Sequence, residues 1–246
     1  SWTEDPARRK EARIPDDVVF KTKIELATEL ISQAVDDRVP GKIVLADTFY
    51  GVSSDFRNVT RMYGLDIGVA ISATTKVWRL DSAGQRSGDP LGVQTLGVNL
   101  GAKAFRRITW REGTCHKMHS RFCFRRVKVA HDDGTEADDR EALWLMIEWP
   151  EGEEKPTKFV LTSLPRRMRH KQIVRIVKER WRTERAYEDL KGELGLDHFE
   201  GRSFPGWHHH VSVVLCCSAF IAAERVRHFP PPEGRADRDA ALGIAA

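Results

Sequence analysis

Four cysteines in 246 residues are too few for a disulfide scaffold. Cys216 and Cys217 are adjacent within an apolar stretch where core packing accounts for them, so reduced thiols are expected. No run approaches the roughly 18 apolar residues of a membrane span. The first residues, S-W-T-E-D-P-A-R-R-K, lack the apolar core of a signal peptide. These absences argue against export and against a membrane, which leaves the cytoplasm as the expected location. There is no internal repeat, and the net charge of +4 is too small to name a partner. What is present is a globular mixture, 41% apolar and 31% charged, with enough core-forming residues for one large domain or two modest ones.

The charge is unevenly spread. From Arg166 to Lys191 there are ten Lys or Arg against four acids (Glu179, Glu184, Glu188 and Asp189), a surplus of six. A surplus that dense suits a polyanion such as nucleic acid, although an arginine-rich, solvated helix face would look the same.

Apolar periodicity organises the chain. Ile24, Leu26, Ala27, Leu30, Ile31 and Ala34 fall at helical spacing, and Pro40-Gly41 ends that helix. Lys42 to Asp47 is a short apolar run closing on an acid, which reads as a buried strand. Thr48 to Gly51 forms a turn, Ser53 or Ser54 caps a helix through Tyr63, and Leu65 to Ala73 gives a second strand. This strand, helix, strand unit implies an α/β layer arrangement around a mixed or parallel sheet. From Thr75 to about Pro165 turn signals separate runs at 106–110, 122–129, 143–149 and 158–162, which read as antiparallel strands of a β-rich insertion. Asp132, Asp133 and Gly134, and likewise Glu151 and Gly152, are expected at hairpin tips. Helical period resumes after Met168, and a last apolar helix is expected from Val211 to Val226. The expected divisions are therefore 1–74 with 166–228 as a discontinuous α/β core, 75–165 as the insertion, and 229–246 as a disordered tail.

Two acids carry the candidate chemistry. Asp47 closes a strand, where open α/β sheets place ligands. It could bind metal there, but from position alone the better reading is an acid that caps the next helix or closes a turn. Glu184 lies on the run V-K-E-R-W-R-T-E-R-A-Y-E-D-L-K. Ile173, Ile176, Val177, Trp181, Tyr187 and Leu194 recur at helical steps, and Arg180, Glu184 and Lys191 share their side. Glu184 is thus expected to point toward protein, where a carboxylate costs several kcal/mol unless cations, hydrogen bonds or a metal compensate it. Two carboxylates meeting from distant parts of the chain suit oxygen-ligated Mg²⁺ acting on phosphodiesters. A pair of ions about 3.5 to 4 Å apart would relieve their repulsion.

These segments together resemble the DDE transposases of bacterial insertion sequences, in the branch with the signature Y-x2-R-x3-E-x6-K. Arg180, Glu184 and Lys191 match, and Val177 stands where the tyrosine would be. V-L-A-D-T-F-Y-G around Asp47, W-R-E-G-T at Trp110, E-W-P at Glu148 and E-L-G-L-D-H-F-E-G-R-S-F-P-G-W-H-H-H ending at His210 extend the likeness over most of the chain. The resemblance implies an RNase H-like fold, with Asp47 as the second and Glu184 as the third catalytic acid. It also implies Arg180 and Lys191 near DNA phosphates and Mg²⁺ as cofactor. Its partners would be terminal inverted repeats and target DNA, with a homodimer in the synaptic complex.

The family's first acid lies on an earlier strand. Asp5, Asp16 and Asp17 sit in a polar lead-in with no strand around them, so an incomplete core is expected, with the first strands missing and little strand transfer. The strand at Ile43 to Ala46 would then lack a sheet neighbour. Two alternatives accompany this reading: a catalytically dead DNA-binding module that occupies transposon ends, and an RNase H-like nuclease.

Other clusters are weaker. Cys115, His116, His119 and Cys123 invite a zinc reading, but strand alternation would send several of them to opposite faces. His208, His209 and His210 would fan around a helix entry, with one of them packing inward. Trp78, Trp110, Trp144 and Trp149 fit core packing. Insertions at this position in related transposases approach the transposon end, so Trp110 beside Arg111 is also a candidate for stacking on an unpaired DNA base. Gly195 fits a helix C-cap.

Overall fold

The computed structural model describes residues 2–112, 117–130 and 141–229. Cys115, His116, the tip at 132–134 and the tail from 230 lie outside the described residues. Backbone contacts divide the chain into two compact units, Ser1–Lys23 with Trp181–Asp239, and Ile24–Arg180 with Ala240–Ala246.

The larger unit is built on an eight-stranded sheet. Before it, in the smaller unit, comes α1 (Pro6–Glu11), and spanning the boundary is α2 (Lys23–Asp36). Then follow β1 (Ile43–Ala46), α3 (Thr48–Gly51), α4 (Ser54–Met62) and β2 (Asp66–Ala70). Next are β3 (Lys76–Leu80), β4 (Arg86–Gly92), α5 (Val93–Leu100), β5 (Arg106–Glu112), β6 (Lys117–Val129), β7 (Leu143–Trp149), β8 (Lys158–Thr162) and α6 (His170–Lys178). The strand order is β1-β2-β8-β7-β6-β3-β4, with β5 also paired to β6. β1 and β2 are parallel, as a strand, helix, strand unit requires, and the other pairings are antiparallel.

The fold is therefore mixed α/β, as the periodicity implies. The β-rich segment is laid into the same sheet as β1 and β2, because β8 pairs with β2 and carries β7, β6 and β3 outward from it. β3, β4 and α5 are additions to the elements read from sequence. β4, R-S-G-D-P-L-G, has poor strand composition and is held by its pairing with β3. β1 is half-buried, not buried as its apolar run suggests, because it closes the sheet as an end strand.

Side chains alternate across the sheet, and each face meets helices. On one face Val127, Leu145, Ile147 and Leu161 pack with Phe56 of α4, Leu96 of α5 and Ile24, Ala27 and Ile31 of α2. On the other, Phe122, Phe124, Met146 and Val160 meet Ile173, Val174 and Ile176 of α6.

The smaller unit contains α1, α7 (Trp181–Gly192) and α8 (Phe204–His228). Asp5 caps α1, accepting from the Ala7 and Arg8 amides, so this upstream acid serves a helix end. The chain turns after α7 on Gly195, at φ 68°. There the Leu196 amide donates to the Leu190 carbonyl and the Gly195 amide to the Lys191 carbonyl, the C-cap expected at this glycine. α8 starts seven residues before the expected Val211, with Ser203 as its cap and Pro205 in its first turn. His210 is the inward histidine of the three. Its Nε2 lies 3.0 Å from the Gly195 carbonyl oxygen, and its ring lies beside Phe199. By length and composition α8 is apolar enough to cross a membrane, which corrects the expectation of no such run; one such helix does not by itself make a membrane protein.

Candidate functional site

Asp47 stands just beyond the carboxyl end of β1, at the opening where the parallel pair β1 and β2 releases its chains. Its Oδ1 accepts from the amides of Phe49 (2.9 Å) and Tyr50 (3.4 Å), so it caps α3 as its position suggests. The side chain is exposed, and Oδ2 lies outside the cap.

Several contacts hold this corner in place. Gly51 is buried against β2 so closely that a Cβ would sit 1.8 Å from the Ala70 carbonyl oxygen. The buried Arg57 donates through Nη1 to the Gly51 carbonyl at 2.6 Å, and Tyr50 packs on Phe56. A short helix that has few bonds of its own is thereby fixed from outside, and with it the direction of the Asp47 carboxylate.

Glu184 departs from expectation. The run read as one helix from Val177 is two, because Glu179 and Arg180 form a turn between α6 and α7. Val177 belongs to α6, packs into its apolar cluster and lies against Gly68 of β2. That contact accounts for an aliphatic residue where the signature has tyrosine. Arg180 is half-buried at the turn, while Glu184 and Lys191 are exposed on α7. α7 has no buried residue, and even Trp181 and Tyr187 are 37% and 54% exposed. The inward orientation of Glu184 is thus corrected. The apolar period runs on past Val177, but the helix carrying it ends at Lys178. Asp47 belongs to the sheet-bearing unit and Glu184 to the helical one.

Trp110 is half-buried on β5. Its ring meets Phe122 edge-on at 5.7 Å, and the Lys178 ammonium lies 4.6 Å from its centroid. Core packing is therefore what its surroundings show, while Arg111 is exposed beside a bulge in the β5–β6 ladder.

Sequence reading missed the group beneath Trp110. Glu148, 4% exposed, accepts from Lys178 Nζ at 2.7 Å. Burial pushes the Lys178 ammonium below its ordinary range, the Glu148 charge opposes that shift, and Lys158 adds to it. The pair ties β7 to the last turn of α6. The signal was legible, because Trp144, Met146 and Glu148 share one face by alternation, which puts an acid on a core-facing position.

The zinc reading loses two of its four donors to the core and surface of the sheet. Cys123 is buried in the apolar core and His119 lies beside Arg107 and Glu151. Among the described residues no group of three or more His, Cys, Asp or Glu is gathered to hold a metal ion. The oxygen donors of Asp47 and Glu184 are of the hard class that Mg²⁺ takes.

Residues 1–117 match the family described as DDE superfamily endonuclease. The match covers just under half of the chain and makes that stretch similar to DDE superfamily endonucleases. No curated protein matches the chain. The matched DDE stretch contains Asp47, Trp110 and Arg111, whereas Arg180, Glu184 and Lys191 lie beyond it. The mixed α/β sheet is consistent with an RNase H-like DDE endonuclease fold.

Proposed function

We propose that this chain is a DNA transposase of the DDE type, in the insertion-sequence branch whose signature includes Arg180, Glu184 and Lys191. The observation that carries the reading is Asp47, an acid within the family match, held rigidly at the carboxyl end of a parallel strand. On this reading residues 1–74 and 166–228 form the RNase H-like core and 75–165 its insertion, while Asp47 and Glu184 are the second and third acids. DDE superfamily enzymes generally use divalent metals. Mg²⁺, when bound, would activate water or a 3′-hydroxyl and stabilise the leaving oxygen. Asp47 would offer it Oδ2, the oxygen its cap bonds do not use.

Arg180, Lys191 and Arg111 are cations suited to the phosphates of transposon ends and target DNA, with Trp110 beside Arg111 against an unpaired base. Two copies would pair in a synaptic complex, and the protein is soluble and cytoplasmic. The surplus of six cations between Arg166 and Lys191 also favours a second reading, a module that binds transposon ends without cutting them.

The test uses Asp47→Asn and Glu184→Gln. Asparagine keeps the cap on α3 while removing the carboxylate. Incubated with Mg²⁺ and duplex carrying a terminal inverted repeat, a parent chain that cuts would correct the expectation of an inactive, incomplete core, and each variant should then lose at least about 100-fold of that cleavage, a transition-state loss of about 2.7 kcal/mol. Cleavage that survives Asp47→Asn would remove the DDE assignment. Salt-sensitive retention of DNA by a parent chain that never cuts would favour the binding module.

A further inference from the structure

Along β6 the positions facing α5 are Cys123, Arg125, Val127 and Val129, and of these only Arg125 is charged. It pairs with the buried Leu145 and is itself half-buried. Its one hydrogen bond runs from Nη1 to the Phe124 carbonyl at 2.8 Å, which leaves the other guanidinium donors unused. A cation on a core-facing position without a carboxylate beside it is costly, so packing does not explain its presence.

Arg125 lines a cleft of about 320 Å³ between the sheet and α5. Leu91, Leu96 and Leu100 make its walls apolar, the exposed Asn99 borders it from α5, and Arg79 of β3 supplies a second guanidinium. Arg79 shares the face of Arg125 because it pairs with Val127, and a Cβ on Gly88 of β4 would come within 3.2 Å of its Nη2. Among the described residues neither Arg79 nor Arg125 is paired with an acid. Of the acids on the β3–β4 hairpin, Asp81 accepts from the Gln85 amide and Asp89 forms no ion pair. Arg126, also at the margin, is already engaged, with its guanidinium 5.3 Å from the Trp144 centroid and bonded to the Ala142 carbonyl. The cleft lies toward Leu80, at the end of the β3–β6 ladder opposite to Ala130.

We propose that this cleft is a binding site for a small organic carboxylate with an apolar body, held by Arg125 and Arg79. A guanidinium fork matches the two oxygens of a carboxylate, and small-molecule sites are concave and apolar with a few placed polar groups. The three leucines call for an apolar body, because an anion without one would leave them wet. The volume is at the low end for such sites, so the body is short. The site is separate from Asp47, since β1 closes one end of the strand order and β3 and β4 the other. It uses neither DNA nor a divalent metal, and so goes beyond the transposase reading.

The experiment is calorimetric titration of the full chain with octanoate, octanamide and inorganic phosphate, without DNA or divalent metal. Octanoate should bind saturably with a Kd of about 1 mM or tighter. Octanamide, with the same chain and no charge, should bind at least about 10-fold more weakly. Arg125→Gln should weaken octanoate by at least about 10-fold while its urea midpoint holds or rises, because an uncompensated cation has been removed. Asn99→Trp changes an exposed residue and should obstruct the cleft with both arginines intact, which keeps the test open where Arg125→Gln fails to fold. Octanoate binding that survives a folded Arg125→Gln, or Asn99→Trp where that variant does not fold, would overturn the site. Octanamide binding as tight as octanoate would overturn the carboxylate and leave an apolar crevice. Phosphate binding through Arg125 without octanoate binding would overturn the apolar body. No binding of any probe by the parent chain would overturn the proposal outright.

Discussion

α6 and α7 are separated by two residues and were read as one helix, yet they are physically unlike. α6 places Ile173, Val174 and Ile176 in the core with almost no exposure, and its last turn is bonded to a buried carboxylate. α7 has no buried residue and lies beside α8, and on its own surface Arg185 pairs with Glu188 and Asp189 one turn on. The difference teaches that an apolar period can continue through a chain after the surface it would cover has ended. Periodicity reports what a helix could bury, whereas burial depends on what stands opposite.

The comparison can be broken most forcefully in the core. Ile173→Ala should cost about 4 kcal/mol through lost transfer and a residual cavity, while Tyr187→Ala on α7 should cost no more than about 0.5 kcal/mol. Urea unfolding of the two variants reads both numbers, and equal losses would mean that α7 is packed as tightly as α6.

Next in size is the ion pair. Glu148→Ala strands the Lys178 ammonium against Trp110 and should destabilise by about 3 kcal/mol, whereas Lys178→Met with Glu148→Leu, which replaces both charges by apolar groups, should come close to neutral. A double variant as damaged as the single one would show that the pair itself, and not the uncompensated charge, holds α6.

The smallest effect sharpens the picture at the start of α6. His170 stacks on Phe124 at 4.0 Å, and burial lowers its pKa from 6.5. The folded state thus prefers the neutral ring. The stability this gives is complete above pH 6.5 and is lost as pH falls through the lower folded value. His170→Phe should keep the stack and flatten the decline in urea midpoint between pH 7 and pH 5; an unchanged decline would assign it to other groups.

Much of the fold was legible where chemistry and geometry are local. β5 to β8 could be read because β-branched and aromatic residues alternate between turn signals, and Asp47 because an acid ending an apolar strand has few roles open to it. β4 was not legible, since Gly88, Asp89 and Pro90 disfavour a strand that its pairing with β3 nevertheless imposes. α5 was hidden by Gly97, which is there because Pro156 would meet a Cβ at 3.0 Å. Glu184 was singled out by its spacing, but its exposure was not legible, because it depends on the turn at Glu179 and Arg180. Glu148 was available to an alternation argument that stopped at counting tryptophans.

The close approach of Gly51 to Ala70 ties the corner bearing Asp47 to the backbone of β2. A methyl group at residue 51 would collide with a peptide oxygen, which cannot rotate aside as a side chain can. The corner bearing Asp47 would have to lift off the sheet to accommodate it. The aim of a surface carboxylate is thus inherited from an atom that lies 23 positions further along the polypeptide, counting from Asp47 to Ala70. Evolution can retune that acid only by first reshaping the strand beneath it.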